Sequence, residues 1–351
     1  MQLIITIIAA IIIFSLLIFV HELGHFLAAR WCGVYVHEFA IGMGPAIWKK
    51  QKGETLYSIR CVPIGGYCKM EGEDAESDDP RALFARPWWA KCIILVAGGF
   101  MNVLLGFVIC LIMVVSSGPI AAPVVDSALP DAPAASFLQP GDRIMSINGS
   151  AVHISGDVSF ERMIGFKEGQ PFELTINRGG KTLTQSVLPY VMTDDSGNKS
   201  LLVGFNLTPE PLSFSNVLHE SFFSTILYIK EVYVSLWMLI TGQVSLSNMM
   251  GPIGVVTVIG GAVQTSIQTW SMQPILWFAS LIAVNLGIFN LLPFPALDGG
   301  RVVFALAEGI TRRRVKPEHE GVVHLIGFAL LILLIVVVSY NDILRFFTGG
   351  Y

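Results

Sequence analysis

Residues 3–29 read LIITIIAAIIIFSLLIFVHELGHFLAA. The first eighteen, Leu3 to Val20, carry no charge and are rich in Ile, Leu and Phe, which makes one helix of membrane-spanning length. Only Met1 and Gln2 precede the run, without the basic start of a cleaved signal peptide, so the helix is expected to be retained. It continues without a break into His21-Glu22-Leu23-Gly24-His25. On a helix, positions i and i+4 lie about 40° apart on one face. Both imidazoles can then reach one tetrahedral metal ion, with the Glu22 carboxylate beside it. Three ionisable groups at the end of an apolar span are costly unless they have a task. A helix surface that merely happens to carry His and Glu is the competing reading, and that cost weighs against it.

Composition agrees with a membrane protein. Of the 351 residues 53% are hydrophobic and 14% charged, against about 25% charged in soluble domains. The net charge is −4 and the 22 basic residues form no block of the kind that binds nucleic acid, so no nucleic-acid partner is expected. Cys32, Cys61, Cys68, Cys92 and Cys110 lie in the first third without a C-x-x-C pair. They read as small apolar fillers and free thiols, and a cysteine zinc site is not indicated.

Working outward, residues 1–29 form the first span and 30–91 a mixed, membrane-associated segment. Within it TLYSIRCVPIGGYCKM, Thr55 to Met70, is β-prone on both sides of Val62-Pro63-Ile64-Gly65-Gly66 and predicts a hairpin turning there. Glu71 to Asp79 reads as a solvated acidic loop. A second span occupies 92–118, with Gly98, Gly99 and Gly106 allowing close helix approach and Asn102 suited to an interhelical hydrogen bond. Residues 119–208 switch to short β-prone runs separated by Gly, Pro, Asn and Asp, a small inserted β-rich domain. Segment 209–273 holds Phe214 to Ile240 with Lys230 and Glu231 mid-run, then a stretch crowded with Gly, Ser, Thr and Gln, and is expected to lie amphipathically on the interface. A third span fills 274–297, a loop 298–320, and a fourth span 321–341. The fold class is therefore a polytopic α-helical membrane protein of about four transmembrane helices, with a membrane-associated β-hairpin and an inserted extracytoplasmic β-rich domain.

Lys and Arg set the orientation. Segment 30–91 holds nine and 298–320 holds five, whereas 119–273 holds seven across its greater length. The positive-inside rule places the first two in the cytosol, with both termini and the β-rich domain outside.

A catalytic zinc needs a third protein ligand and one position open to water. Asp298 is the only carboxylate directly at the end of a span, in Asn290-Leu291-Leu292-Pro293-Phe294-Pro295-Ala296-Leu297-Asp298-Gly299-Gly300. Pro293 and Pro295 break the helix, and Gly299 and Gly300 let the chain pass close to another element. Spans one and three both run inward, so His21 and Asp298 meet at the same depth. One further crossing within 214–260 would separate them. His37, His153, His219, His319 and His324 lack such a setting and read as structural or interfacial.

HELGH, FAIGMGP (Phe39 to Pro45), PIGGYCKM, AGGFMN and NLLPFPALDGG together resemble the site-2 protease family of intramembrane zinc metalloproteases, in its bacterial regulatory form, over nearly the whole chain. SFLQPGDRI (Ser136 to Ile144) with Ser146-Ile147-Asn148-Gly149 resembles the core signature of a PDZ domain, with room for one where some relatives carry two. The resemblance implies one zinc per chain on His21, His25 and Asp298, Glu22 as catalytic base, and Asn290 as a substrate-binding residue, for which bracing the backbone opened by the prolines is the alternative. It further implies a multi-pass protein of the inner (cytoplasmic) membrane, active near the cytosolic side. Substrates would be single-span membrane proteins, such as anti-sigma factors or remnant signal peptides. The outer domain would capture exposed C-termini or exclude large ectodomains. A non-enzymatic PDZ scaffold would have no use for Glu22 beside the ligands, and a zinc transporter would show several ligand sites along its helices.

Overall fold

The computed structural model describes residues 2–73, 77–193, 199–245, 249–313 and 317–348, which divide into two compact units, 1–109 with 228–351, and 110–227. The chain starts with α1, Gln2–Trp31, about 45 Å long at 1.5 Å per residue and sufficient to span a bilayer. Gly33, at φ +74°, lies just beyond its end.

Two long strands follow, β1 (Val36–Lys52) and β2 (Thr55–Met70), and their pairing differs from the expected hairpin. Phe39 pairs with Cys68 on one side and Tyr57 on the other, and Ala40 with Tyr67 and Ser58. The first part of β1 thus lies between the two halves of β2, while Trp48 to Lys52 pair with Ile59 to Thr55. Thr55–Met70 is β throughout, but its halves flank a third segment instead of meeting each other. The reason lies in Gly42 and Gly44, at φ +83° and +81°. They bend β1 back on itself, and a Cβ on Gly42 would stand 2.5 Å from the Val62 carbonyl oxygen. Gly66–Met70 is left as one edge of the sheet. The second long helix, α2, spans Trp88–Ser117.

Unit 110–227 contains β3 (Ile120–Ala128), β4 (Arg143–Ile147), β5 (Ser150–Ala151), α3 (Ser155–Gly165), β6 (Phe172–Arg178), β7 (Lys181–Val187), β8 (Tyr190–Thr193), β9 (Lys199–Leu202) and β10 (Phe205–Glu210). The antiparallel sheet has the order β10-β3-β4-β6-β7, with β5 on β4 and β8-β9 as a separate pair. Period-two alternation builds its core: Phe172, Leu174 and Ile176 of β6 are buried with Ile144 and Ile147 of β4, Val125 and Phe205. Buried charges accompany that core, Asp142 among them. Asp142, 1% exposed, receives Arg178 on both carboxylate oxygens at 2.7 and 2.6 Å and the Gln139 backbone N–H at 2.8 Å. The guanidinium holds the Asp142 carboxyl below the usual carboxylate range. Arg178→Ala strands that carboxylate and is expected to destabilise this unit by on the order of 3 kcal/mol, read by thermal unfolding. Because the folded pKa is the lower one, the contribution is complete above about pH 4 and fades as pH falls through the folded value.

The chain continues with α4 (Phe214–Ile240), α5 (Pro252–Thr269), α6 (Gln273–Asn290), α7 (Asp298–Thr311) and α8 (Pro317–Thr348). Among the described residues five helices are long and apolar enough to cross a membrane, namely α1, α2, α4, α6 and the part of α8 from His319 to Arg345. These mark a multi-pass membrane protein. Segment 209–273, expected as one interfacial stretch, instead holds two separate helices, of which α4 reaches spanning length. Lys230 and Glu231, which suggest the interface, fall mid-helix in α4, and its length and composition are nonetheless sufficient to cross a membrane. The other, α5, packs Ile259 and Val263 against Ala10 of α1 and Phe278 of α6. Asp342 of α8, fully buried, accepts the Gly251 and Gly254 backbone N–H groups at 3.1 and 2.9 Å and so caps the start of α5. If α4 crosses inward, the stretch through α5 must cross back, since Asp298 lies 3.2 Å from His21.

Candidate active site

His21, Glu22 and His25 share one face of α1, and two close approaches hold that face against α2. A Cβ on Gly24, the glycine of HELGH, would stand 2.4 Å from the Ala97 carbonyl oxygen. A Cβ on Gly98 would stand 2.3 Å from His25 Nε2 and 2.7 Å from His21 Cε1. Only glycine leaves room there for both imidazoles.

The third group arrives from α6 and α7. After Asn290 the chain turns through Pro293 and Pro295, with Ala296 at φ +76°. The Ala296 backbone N–H donates to His324 Nδ1 at 2.8 Å, which gives that histidine a bracing role in the turn. Helix α7 then starts at Asp298, where the helix dipole favours a carboxylate. A Cβ on Gly299 would meet the Leu292 carbonyl oxygen at 2.2 Å, and one on Gly300 the Phe294 carbonyl oxygen at 2.4 Å. The two glycines thus let α7 fold back on the turn and deliver Asp298.

His21 Nε2 and His25 Nε2 are 3.1 Å apart, and Asp298 Oδ2 lies 3.2 Å from the first and 3.3 Å from the second. Tetrahedral zinc with bonds of about 2.0–2.1 Å needs ligand atoms about 3.3–3.4 Å apart, so the donor set fits the ion. Asp298 Oδ2 is buried and makes no hydrogen bond among the described residues, as expected of an atom whose partner is a metal. Among the described residues this is the one cluster of His, Cys, Asp and Glu with metal-binding spacing.

The far nitrogens are held as well. His25 Nδ1 lies 2.8 Å from the Ile94 carbonyl oxygen, to which it donates, leaving Nε2 for the ion. His21 Nδ1 is flanked by the amide nitrogens of Asn102 and Asn290, each at 3.5 Å. Asn102 is fully buried and its Oδ1 lacks a partner among the described residues. A flip of this amide presents that oxygen to a His21 Nδ1–H. The contact is interhelical, as expected for Asn102, but it falls on an imidazole of the candidate metal triad. Its position four residues after Gly98, on the same face of α2, is the signal that could have located it.

Beside the triad opens a cavity of about 370 Å³ lined also by Glu22, by Tyr67, Cys68, Lys69 and Met70 of the edge strand, and by Glu73 and Arg301. Gly66 starts that edge: a Cβ there would be 3.5 Å from Glu22 Cγ and 2.9 Å from the Ala40 carbonyl oxygen. The remaining histidines lie elsewhere. His37 pairs with Glu71, while His153 stacks on Phe223 with ring centres 4.1 Å apart and His219 lies 4.6 Å from the same ring. Among the described residues none of the five cysteines forms a disulfide.

The profile of peptidase family M50 matches residues 9–334. This chain belongs to that family. The match bears out the resemblance to site-2 proteases, and the protein is accordingly a zinc metalloprotease. A protein of Clostridium perfringens assigned by its name to the zinc metalloproteases is 37% identical over 340 residues, covering 96% of this chain and 98% of its own. Zinc metalloprotease RasP of Geobacillus kaustophilus is 29% identical over 97% of this chain and 98% of its own. The regulator of sigma-W protease RasP of Bacillus subtilis is 30% identical over 97% and 99%. The two RasP alignments run over 423 and 428 positions, so those relatives carry insertions with respect to these 351 residues. The PDZ domain of an SdrC-like protein from Listeria monocytogenes aligns at 22% identity over 28% of this chain and 94% of its own, with a TM-score of 0.21.

Proposed function

We propose that this M50 protein is an intramembrane endopeptidase that hydrolyses peptide bonds within the membrane spans of single-span proteins, with one zinc on His21, His25 and Asp298. The carrying observation is the ligand triangle of 3.1, 3.2 and 3.3 Å at the end of an apolar helix, facing a cavity edged by Gly66–Met70. Zinc bound there supplies Lewis-acid polarisation of the scissile carbonyl and a water of lowered pKa. Glu22, next to the histidines, takes the proton from the attacking water and returns it to the leaving amine. Asn290, whose amide nitrogen lies 3.5 Å from His21 Nδ1, is the proposed substrate-binding residue.

A substrate helix buries its scissile bonds in its own hydrogen-bond ladder and must unwind first. The edge strand receives the extended segment by strand addition. Glu71 N–H donates to Tyr35 O, toward β1, and Met70 N–H turns the other way to Glu73. Alternation along the strand then directs the N–H groups of Cys68 and Gly66 outward, the latter beside Glu22.

Cys68→Pro removes an outward donor that the sheet itself does not use, and proline is tolerated at such edge positions. The variant is expected to keep its zinc and slow cleavage about tenfold or more, the value of a lost hydrogen bond to a desolvated partner. Cys68→Ala serves as control, and cleavage equal to that control sinks strand addition. Mass spectrometry of the products from a designed single-span substrate tests the intramembrane reading itself: cuts confined to the flanking loops reject it.

The Lys and Arg distribution supports an inner-membrane protein with the site near the cytosolic side and the β-rich unit, PDZ-like by its SFLQPGDRI signature, outside. The likeness to the regulator of sigma-W protease favours, as one substrate class, membrane proteins that restrain a sigma factor.

A further inference from the structure

Arg301 stands three residues after Asp298, one turn further along the same face of α7. Its Nη1 donates to Glu73 Oε1 at 2.6 Å. The other oxygen of that carboxylate, Oε2, accepts the backbone N–H of Met70 at 3.4 Å. Met70 is the last residue of β2 and closes the edge strand. A connected path of hydrogen bonds therefore runs from the strand, through Glu73 and Arg301, to the helix that carries Asp298.

The rest of α7 makes this path matter. Leu297 at its start provides no side-chain cap. Its far end is tied separately, by Glu308 to the buried Lys91 of α2 at 2.7 Å. At the near end, where Asp298 must keep one oxygen within 3.3 Å of two imidazoles, the ion pair to Glu73 is the tether that leads to the strand. Arg301 and Glu73 side chains are 30% and 21% exposed and both line the catalytic cavity, so their pairing is only partly screened.

We propose that Arg301 is a positioning residue: through Glu73 it fixes the angle at which α7 presents Asp298 and ties that geometry to the edge strand. The inference rests on the reading of the triad as the zinc site and of Gly66–Met70 as the substrate edge. It follows that zinc retention depends on a pair that touches no ligand atom. It also follows that a strand displaced by a poorly seated substrate loosens the metal ligand.

The test measures zinc release into excess chelator from the full-length protein in detergent, for the wild type, Arg301→Gln, the isosteric Glu73→Gln, the double variant, and the exchange Arg301→Glu with Glu73→Arg. Loss of a direct outer partner of a metal ligand costs about 10–100-fold in affinity, and because this pair acts one step removed from the ligands, release is expected to quicken by about tenfold, the low end of that range, in each single variant. The double variant should be no faster than either single one, because both break the same link. The exchange should return release to within about threefold of the wild type, a rescue that a general folding defect would not give. Cleavage by the single variants should show a raised KM together with a lowered kcat, since strand and ligand are both affected. Release within about twofold of the wild type in both single variants, or effects that add in the double, overturns the proposal and leaves the metalloprotease reading standing. A wild type without stoichiometric zinc overturns the metal assignment, and the positioning role with it.

Discussion

Glu22→Gln is expected to abolish cleavage of a designed single-span substrate by about 10²–10⁴-fold or more while the protein still binds one zinc. The substitution keeps size and polarity and removes the carboxylate that can accept a proton. The three ligand atoms, His21 Nε2, His25 Nε2 and Asp298 Oδ2, do not include Glu22, so the ion has no reason to leave. Asp298→Ala in the same assay should lose both activity and zinc, because two imidazoles alone do not complete the three-ligand set of a catalytic site. Metal analysis beside product formation separates the two roles. Cleavage by Glu22→Gln at the wild-type rate removes Glu22 as base, and loss of zinc in that variant makes it a ligand or a structural support.

The grouping of the candidate site was legible because its residues are short-range signals. HELGH and LDGG lie within spans of five and four residues, and the helix period or a glycine pair fixes what each can do locally. The meeting of Asp298 with His21, 277 positions apart by residue number, followed from the parity of crossings and is present at 3.2 Å. What parity could not do was decide between no crossing and a pair of crossings in 209–273. The described helices α4 and α5 reopen that choice, since both alternatives return Asp298 to the same side.

Partnering was less legible than element type. The β-prone character of Thr55–Met70 was evident, yet its partner, Val36–Ile41, depends on the left-handed backbone at Gly42 and Gly44 that bends β1. The sequence marks those glycines without showing which way the chain turns. Glu73 and Arg301 were hidden for a similar reason: one lay in a stretch that read as a solvated acidic loop, the other in a basic cytosolic loop. Neither neighbourhood hints that the two side chains meet at 2.6 Å beside the candidate metal triad. Asp342, one residue beyond the expected fourth span, gave no sign in the sequence of its burial, and it finds partners in the backbone of Gly251 and Gly254.

Gly98→Ala carries the second large expected effect, from a single methyl group. Glycines in a membrane helix are ordinarily read as close-packing positions, and Gly99 fits that reading, with a Cβ there meeting the Gly287 carbonyl oxygen at 2.8 Å. At Gly98 the added carbon would instead stand 2.3 Å from His25 Nε2, far inside van der Waals contact. His25 cannot easily swing away, because its Nδ1 is held at 2.8 Å by the carbonyl of Ile94, one turn before Gly98 on α2. Relief must come from displacing the imidazole or separating α1 from α2, and the latter is opposed by the contact of Gly24 with Ala97. Either response spreads a ligand triangle that tolerates only a few tenths of an ångström. The variant is expected to insert and fold, to lose zinc affinity by at least about 100-fold, and to lose cleavage with it. Equilibrium dialysis against a zinc buffer, with circular dichroism as the control for folding, measures this directly. Wild-type affinity in a folded Gly98→Ala protein would mean that the imidazoles sit elsewhere than the Gly98 notch, and the geometry argued for the site would fall with it.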